Sequence, residues 1–322
     1  AAQRGLAVQS HAQPAPGFEG EALAMDVTLE GSEDADRLLL LTSACHGVEG
    51  YCGSGVQVAL LNDPTWQAAV QDSGCAVLYV HAVNPHGFSH GRRVTVEGVD
   101  LNRNWLDFSQ PLPENPGYDE LADAIVPPTW PEPADATRRL RDYADRHGAR
   151  GLQAALSSGQ YRHPTGIFYG GSAPTWSQNT LRAVLRQHAQ RCRRLGWIDF
   201  HTGLGPSGHG ERILAGPNDP QALARARAWW GPQVTSMYDG SSSSARLQGM
   251  IWQAAVWECP QAEYTGIALE YGTEPQAEVV DALRGDHWLH AHPERAAPQR
   301  EAIRRRMRDA FYTDTEEWKQ RI

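Results

Sequence analysis

Arg37-Leu-Leu-Leu-Leu-Thr-Ser-Ala-Cys-His-Gly-Val-Glu49 runs from an unbroken apolar block into a small, polar, glycine-containing segment. A short continuous apolar run closed by such a loop predicts a strand buried on both faces. Ala76–Val80 and Leu195–Phe200 repeat the form, and Tyr264–Glu270, rich in strand formers and stopped at Gly272, predicts a fourth strand. Between them lie helical patterns over Gly53 to Leu61, Ala136 to Arg146, Ser177 to Arg194 and Pro220 to Trp230. The last opens with Asp219 as a cap and Pro220 at the first helical position, where a missing N–H costs nothing. Strands alternating with helices predict an α/β fold with a mostly parallel, mixed central sheet flanked by helices on both faces. Ligands of such sheets gather beyond the carboxyl ends of the strands, and His46 and Glu49 follow one of those ends.

The chain of 322 residues is read as a single domain, 1–322. Seven prolines fall between Leu106 and Asp135, so residues 106–135 are expected to form a long loop. Tyr238–Ser244 has the composition of a flexible loop over a pocket. The opening residues read as part of a helix and lack a charged start followed by an apolar block. A net charge of -9 with no Lys/Arg-rich run argues against a nucleic-acid partner. No run approaches the roughly 20 apolar residues of a membrane span. Five scattered cysteines without a C-x-x-C pair suit free thiols in a reducing compartment, so a soluble, cytoplasmic protein is expected.

His46 and Glu49 are three apart, and 13 histidines make one such match unsurprising by itself. A second segment, Trp197-Ile-Asp-Phe-His-Thr-Gly-Leu-Gly205, again sets a histidine at the end of an apolar strand. Two imidazoles and one carboxylate at one sheet edge predict a single Zn2+ held by His46, Glu49 and His201, with a fourth position open to water, as in catalytic sites. Cys45 leaves the strand toward the opposite side from His46. His287-Trp-Leu-His290-Ala-His292 has no carboxylate at useful spacing and reads as surface histidines; His81, His86, His90 and His163 read as ordinary histidines near loops and strand ends.

With those residues in hand, the chain resembles the zinc carboxypeptidases, the carboxypeptidase A-like metallopeptidases, and in particular a divergent bacterial branch of unassigned substrate. The resemblance runs from Ala44 to Thr273 through His46 and Glu49, Asn84-Pro-His-Gly87, Asn102-Arg103 within Val99–Asn104, His201 and Glu270, in that order. It implies Glu270 as the general base, Arg93 as the group that holds the oxyanion, and Asn102 and Arg103 as the grip on a substrate carboxylate. Arg92 adjoins Arg93 and leaves that choice open. The ten-residue interval from Arg93 to Arg103 is similar to that of the related succinylglutamate desuccinylases and aspartoacylases. No capping tyrosine is assigned among Tyr238, Tyr264 and Tyr271, and residues 159–171 are expected to shape a specificity pocket. The expected function is hydrolysis of an amide or peptide bond beside a free carboxylate. The alternatives are deacylation of an N-acyl amino acid and a catalytically silent binding module. The oligomeric state stays open.

Overall fold

The computed structural model describes residues 1–295 and 297–322. Seven strands form one sheet in the order β1-β2-β4-β3-β5-β7-β6: β1 (Gln9–Gln13), β2 (Leu23–Glu30), β3 (Arg37–Thr42), β4 (Ala76–His81), β5 (Arg194–Ser207), β6 (Gly210–Leu214) and β7 (Glu263–Gly272). The central β4-β3-β5-β7 pairings are parallel, and β1, β2 and β6 complete the edges antiparallel. The α/β fold with a mixed sheet is therefore the one expected.

The leucine run shows why β3 sits in the middle. Side chains alternate across a strand, so Leu38 and Leu40 join one core cluster and Leu39 and Leu41 the other. The first cluster is covered by α6 (Trp176–His188) and α8 (Gln253–Glu258). The second is covered by α1 (Gly50–Asn62), α2 (Pro64–Ser73) and the C-terminal Trp318. Of the remaining helices, α3 is Pro85–His90, α4 Pro116–Ile125, α5 Ala134–Ser157, α7 Pro220–Trp230, α9 Gln276–Ala291, α10 Arg300–Phe311 and α11 Glu316–Lys319. Among the described residues no helix is long and apolar enough to cross a membrane.

Several expectations change. The segment 106–135 is not all loop: α4 lies inside it, started by Pro116 at the first position and by Asn115, whose Oδ1 accepts from Tyr118 N at 3.0 Å. The prolines flank this helix without breaking it, and Tyr118, Leu121 and Ile125 at helical spacing pack with Tyr143 and Leu156 of α5. The expected helix Ser177 to Arg194 ends at His188, and Arg194 already begins β5. α5 runs on to Ser157 past Gly148, whose φ of 75° needs a residue without Cβ. The opening is a three-residue turn at Ala2–Arg4 followed by β1, not a continuous helix.

Of the histidines expected at the surface, His290 is exposed and His287 is not. His287 is 3% exposed, with Nδ1 3.1 Å from the Thr165 carbonyl. It lies beside Asp286, which accepts from Arg92 Nε at 3.0 Å, while His290 Nε2 is 3.6 Å from Asp286 Oδ1. The helix is buried almost all round from Val279 to Leu289, so its polar residues point into the protein and no apolar stripe marks the inner face. Burial, and next the neighbouring Arg92 charge, depress His287 to about 4. A histidine held neutral in the folded state and protonated in the unfolded one destabilises the fold as pH falls from about 6.5 toward 4. Asp286, held below its ordinary value by Arg92 against the effect of burial, acts in the same direction. Denaturant titrations from pH 7 to 4 are expected to lose on the order of 2–3 kcal/mol through His287. The variant His287→Gln should lose correspondingly less over that range, and an unchanged slope would remove His287 as the cause.

Candidate metal centre

The carboxyl ends of β3 and β5 bring two separate stretches of chain together. After β3, Ala44 takes the left-handed conformation with φ 56°, which redirects the chain so that His46 and Glu49 face the sheet edge. Gly47 is required by close approach, since a Cβ there would lie 2.0 Å from the Gly87 carbonyl carbon. The Asn84-Pro-His-Gly87 turn fixes the other side of this contact. Asn84 Oδ1 accepts from Gly87 N at 2.9 Å and its Nδ2 donates to the Arg93 carbonyl at 3.2 Å. That carbonyl also accepts from Gly47 N at 3.2 Å, and Val48 N donates to the Arg92 carbonyl at 2.9 Å. The motif thus ties residues 92–93 onto the loop that carries His46 and Glu49.

His201 lies on β5 in register with Glu270 on β7. The three predicted ligands converge: His46 Nδ1 is 2.9 Å from Glu49 Oε1, His201 Nδ1 is 3.0 Å from Glu49 Oε2, and the two Nδ1 atoms are 3.2 Å apart. Tetrahedral zinc with ligands at about 2.0–2.1 Å needs donor separations of about 3.3 Å, so this donor set fits one such ion with little adjustment. All three residues are buried, at 2%, 1% and 3% exposure. Burial opposes the Glu49 charge, but His46, His201 and Arg93 outweigh it and hold the carboxyl well below its ordinary range. A carboxylate that stays ionised is what a cation requires.

Each imidazole is oriented from behind. His46 Nε2 is 3.1 Å from Asp100 Oδ1, and His201 Nε2 is 2.6 Å from Asp199 Oδ2. With those nitrogens protonated, each ring presents its Nδ1 lone pair to the shared space. Asp199 also accepts from Thr42 Oγ1 at 2.5 Å, and Thr42 in turn accepts from Trp197 Nε1 at 2.8 Å. Asp100 and Asp199 are not among the residues expected from the sequence, although each lies two positions before one that is. Asp199 is two residues from His201 on a strand, which puts both on one face.

The two adjacent arginines separate cleanly. Arg92 pairs with Asp286, whereas Arg93 donates from Nε to Asp100 Oδ2 and from Nη1 to Glu49 Oε1, both at 2.8 Å. Its Nη2 is 2.8 Å from His46 Nε2, and Phe168 lies 5.2 Å beneath the guanidinium. Glu270 is 8% exposed and its Oε1 accepts from Leu204 N at 3.0 Å. Burial, and next the Glu49 charge, raise it to about 8. Arg103 is buried, donating from Nε and Nη2 to the Ser157 carbonyl at 3.0 and 2.6 Å and from Nη1 to the Asn102 carbonyl at 2.8 Å. One hydrogen remains on each of its terminal nitrogens. Asn102 Oδ1 accepts from Ile251 N at 2.9 Å, leaving Nδ2 for a ligand.

All seven predicted site residues line one cavity of about 1110 Å3, measured out to its open mouth. Ser244 and Ala245 reach it from the serine-rich loop, which is held in place by Glu211 and Gln153 through Ser243. Phe168 is the contribution of residues 159–171, and Tyr238, Tyr264 and Tyr271 are not in the wall. Cys45 is fully buried, and its thiol lies in a second close group with Asp199 and His201. Burial, with Asp199 and Asp100 nearby, pushes that thiol well above its ordinary value, so it stays protonated and is a poor ligand. All five cysteines are unpaired.

The profile of a family described as a protein of unknown function (DUF2817) matches residues 1–322. No curated protein matches the chain. Among solved structures, carboxypeptidase A from Helicoverpa armigera aligns at 13% identity and a TM-score of 0.44, over 96% of this chain and 70% of that one. An aspartoacylase family protein from Mesorhizobium loti aligns at 13% identity and a TM-score of 0.41, over 89% of this chain and 66% of that one. A metallo-carboxypeptidase from Burkholderia cenocepacia gives 14% identity and a TM-score of 0.41, over 95% of this chain and 63% of that one.

The hydrogen bond from His201 to Asp199 makes a testable demand. Asp199→Asn is expected to weaken zinc binding roughly 10- to 100-fold, measured by competition with a chromophoric chelator. Undiminished affinity would mean that His201 is held without it.

Proposed function

The chain belongs to the DUF2817 family over its full length, and from that premise and the geometry of its buried cluster we propose that it is a zinc-dependent hydrolase. Its reaction is cleavage of an amide or peptide bond beside a free carboxylate. The observation that carries this reading is Glu270, in register with His201 and raised to about 8, facing the same cavity as three converging ligand atoms.

His46, Glu49 and His201 would hold one zinc ion, which supplies Lewis acidity toward water and a carbonyl oxygen. Glu270 accepts the proton of the attacking water and returns it to the leaving amine. A carboxyl group poised near neutral pH is suited to both transfers. Arg93 turns fixed positive charge toward the oxyanion that forms on the substrate carbonyl. Burial opposes that charge, but Asp100 and Glu49 outweigh it and keep the guanidinium ionised. Asn102 and the free edge of Arg103 receive the substrate carboxylate. In this reading residues 1–322 form one catalytic domain acting in the cytoplasm, where the five free thiols remain reduced.

A second reading keeps the same site and acts on N-acyl amino acids; the ten-residue interval between Arg93 and Arg103 favours it. A peptide panel and an N-acyl amino acid panel, followed by mass spectrometry of the products, separate the two. Glu270→Gln is expected to retain zinc and lose about 10³-fold or more in kcat. Elemental analysis beside a turnover assay checks this, and full activity in that variant, or after removal of zinc by a chelator, would refute the mechanism. Zinc bound without turnover in the wild-type protein would favour the silent binding module.

A further inference from the structure

Phe168 is held in a backbone conformation that suits it badly. Its φ of 56° lies in the left-handed region, where a bulky side chain crowds its own backbone. Among the described residues Ala44 is the one other non-glycine residue there, and Ala44 turns the chain into the loop of His46 and Glu49. Such a conformation persists only where the surroundings impose it. Here Gln160 N donates to the Phe168 carbonyl at 3.2 Å, Gln160 Nε2 to the Ile167 carbonyl at 3.3 Å, and Asp100 N to the Tyr169 carbonyl at 2.8 Å. The last bond fastens the residue after Phe168 to the acid that pairs with Arg93 and orients His46.

What this backbone delivers is the ring. Phe168 is 7% exposed, and the Cζ atoms of Arg93 and Arg103 each lie 5.2 Å from its centroid. The face of a benzene ring carries negative potential and attracts a guanidinium, most strongly out of water. The two guanidiniums repel each other: burial lowers Arg103, Asp100 opposes that, and the Arg93 charge adds to it. A ring shared by both draws each cation to a common point and offsets part of their repulsion. The same loop also packs on Arg103 directly. Tyr161 Oη donates to the Arg103 carbonyl at 2.7 Å, and a Cβ on Gly159 would come 2.8 Å from the Arg103 Cδ.

We propose that Phe168 is a positioning residue, whose ring fixes the separation of the Arg93 and Arg103 guanidiniums and with it the span from the oxyanion group to the carboxylate grip. The roles of the two arginines rest on the hydrolytic reading; their placement on the ring does not. Glycine or asparagine would hold the same turn with less strain, so this residue is explained by its ring and not by its backbone. Leucine at 168 would fill much of the same space without a π face, and tyrosine would keep the face.

Two measurements on the zinc-loaded protein test this by comparing Phe168→Leu and Phe168→Tyr with the wild type. In the first, the best-cleaved member of the peptide and N-acyl amino acid panels is the substrate. Phe168→Leu is expected to lower kcat and to raise KM, each roughly 5- to 30-fold, through the loss of one buried cation–π contact per arginine. Phe168→Tyr is expected to stay within about 3-fold of the wild type in both constants. A packing role alone would move the denaturation midpoint and leave both constants of the folded protein as they were. Unchanged constants in Phe168→Leu, or a tyrosine variant as impaired as the leucine variant, overturn the proposal. In the second measurement, a crystal structure of Phe168→Leu, the two guanidiniums are expected to move relative to each other by roughly 1 Å or more. Superposable guanidiniums overturn the proposal whatever the activity. If the wild-type protein cleaves no member of either panel while the guanidiniums move, the hydrolase reading fails and the placement stands. Phe168→Met replaces Phe168→Leu in both measurements should the leucine variant not fold.

Discussion

The buried charge around His46, Glu49 and His201 has to be balanced, and much of the structure follows from how. Glu49, Asp100, Asp199 and Glu270 are four carboxyl groups, each at most 8% exposed, while Arg93 and Arg103 are the two guanidiniums close to them. Four ionised acids against two guanidiniums carry a formal charge of -2, and Asp199 and Glu49 outweigh burial to raise His201 well above its ordinary value. An isolated ion in such surroundings is strongly disfavoured. Two responses are visible. Burial, and next the Glu49 charge, raise Glu270 to about 8, so that it exchanges its proton near neutral pH. The ligand atoms of His46, Glu49 and His201 lie at separations that suit a divalent cation, a species that would offset the remainder. The same imbalance explains why Arg93 bridges Asp100 and Glu49 and does not extend into solvent.

Holding like groups this close needs a rigid frame, and the fold supplies it from two directions. One imidazole is borne on a central strand: His201 is part of β5, paired with β3 on one side and β7 on the other. The other is carried by a loop, where nothing in regular structure would fix it. There Gly47 allows backbone contact with Gly87, Asn84 clamps the Arg93 carbonyl, and Asp100 holds the far nitrogen of His46. Asp199 serves His201 in the same way, anchored through Thr42 to the strand next door. The four-residue turn at Asn84 thus acts through the loop it braces.

What could be read in the sequence divides along physical lines. The central strands were legible because burial on both faces leaves a continuous apolar run, as in Leu38–Leu41. The antiparallel strands β1, β2 and β6 were not, since polar residues interrupt any apolar run in them, and Gln9–Gln13 contains almost no apolar residue. α4 was hidden because prolines at helix starts and between elements look the same in composition as prolines in a loop. α9 misled at His287, since a helix buried almost all round has no polar face to announce itself. In the candidate site, the clustering of His46, Glu49 and His201 was legible as a pattern of residue types at strand ends. Asp100 and Asp199 were not, because orienting a ring from behind requires only an acid somewhere in reach, a demand that three-dimensional proximity meets and spacing does not.

The wall opposite the charges was invisible for a related reason. Its residues come from β6, β7 and the irregular segment that includes Met237, Leu247, Met250 and Trp252, and no periodicity links them. An apolar residue in a strand or loop reads as core whether it packs against protein or against a ligand. Only the assembled cavity shows that these side chains border open space on one face. Chemistry and selectivity therefore leave different traces. Groups that act on a reacting bond must be of particular types and so mark the sequence, whereas groups that choose among substrates act by shape and by the absence of charge. An absence becomes informative only once the fold has said which residues surround it. The lining of the cavity away from His46, Glu49 and His201 is therefore read from the assembled fold and not from the sequence.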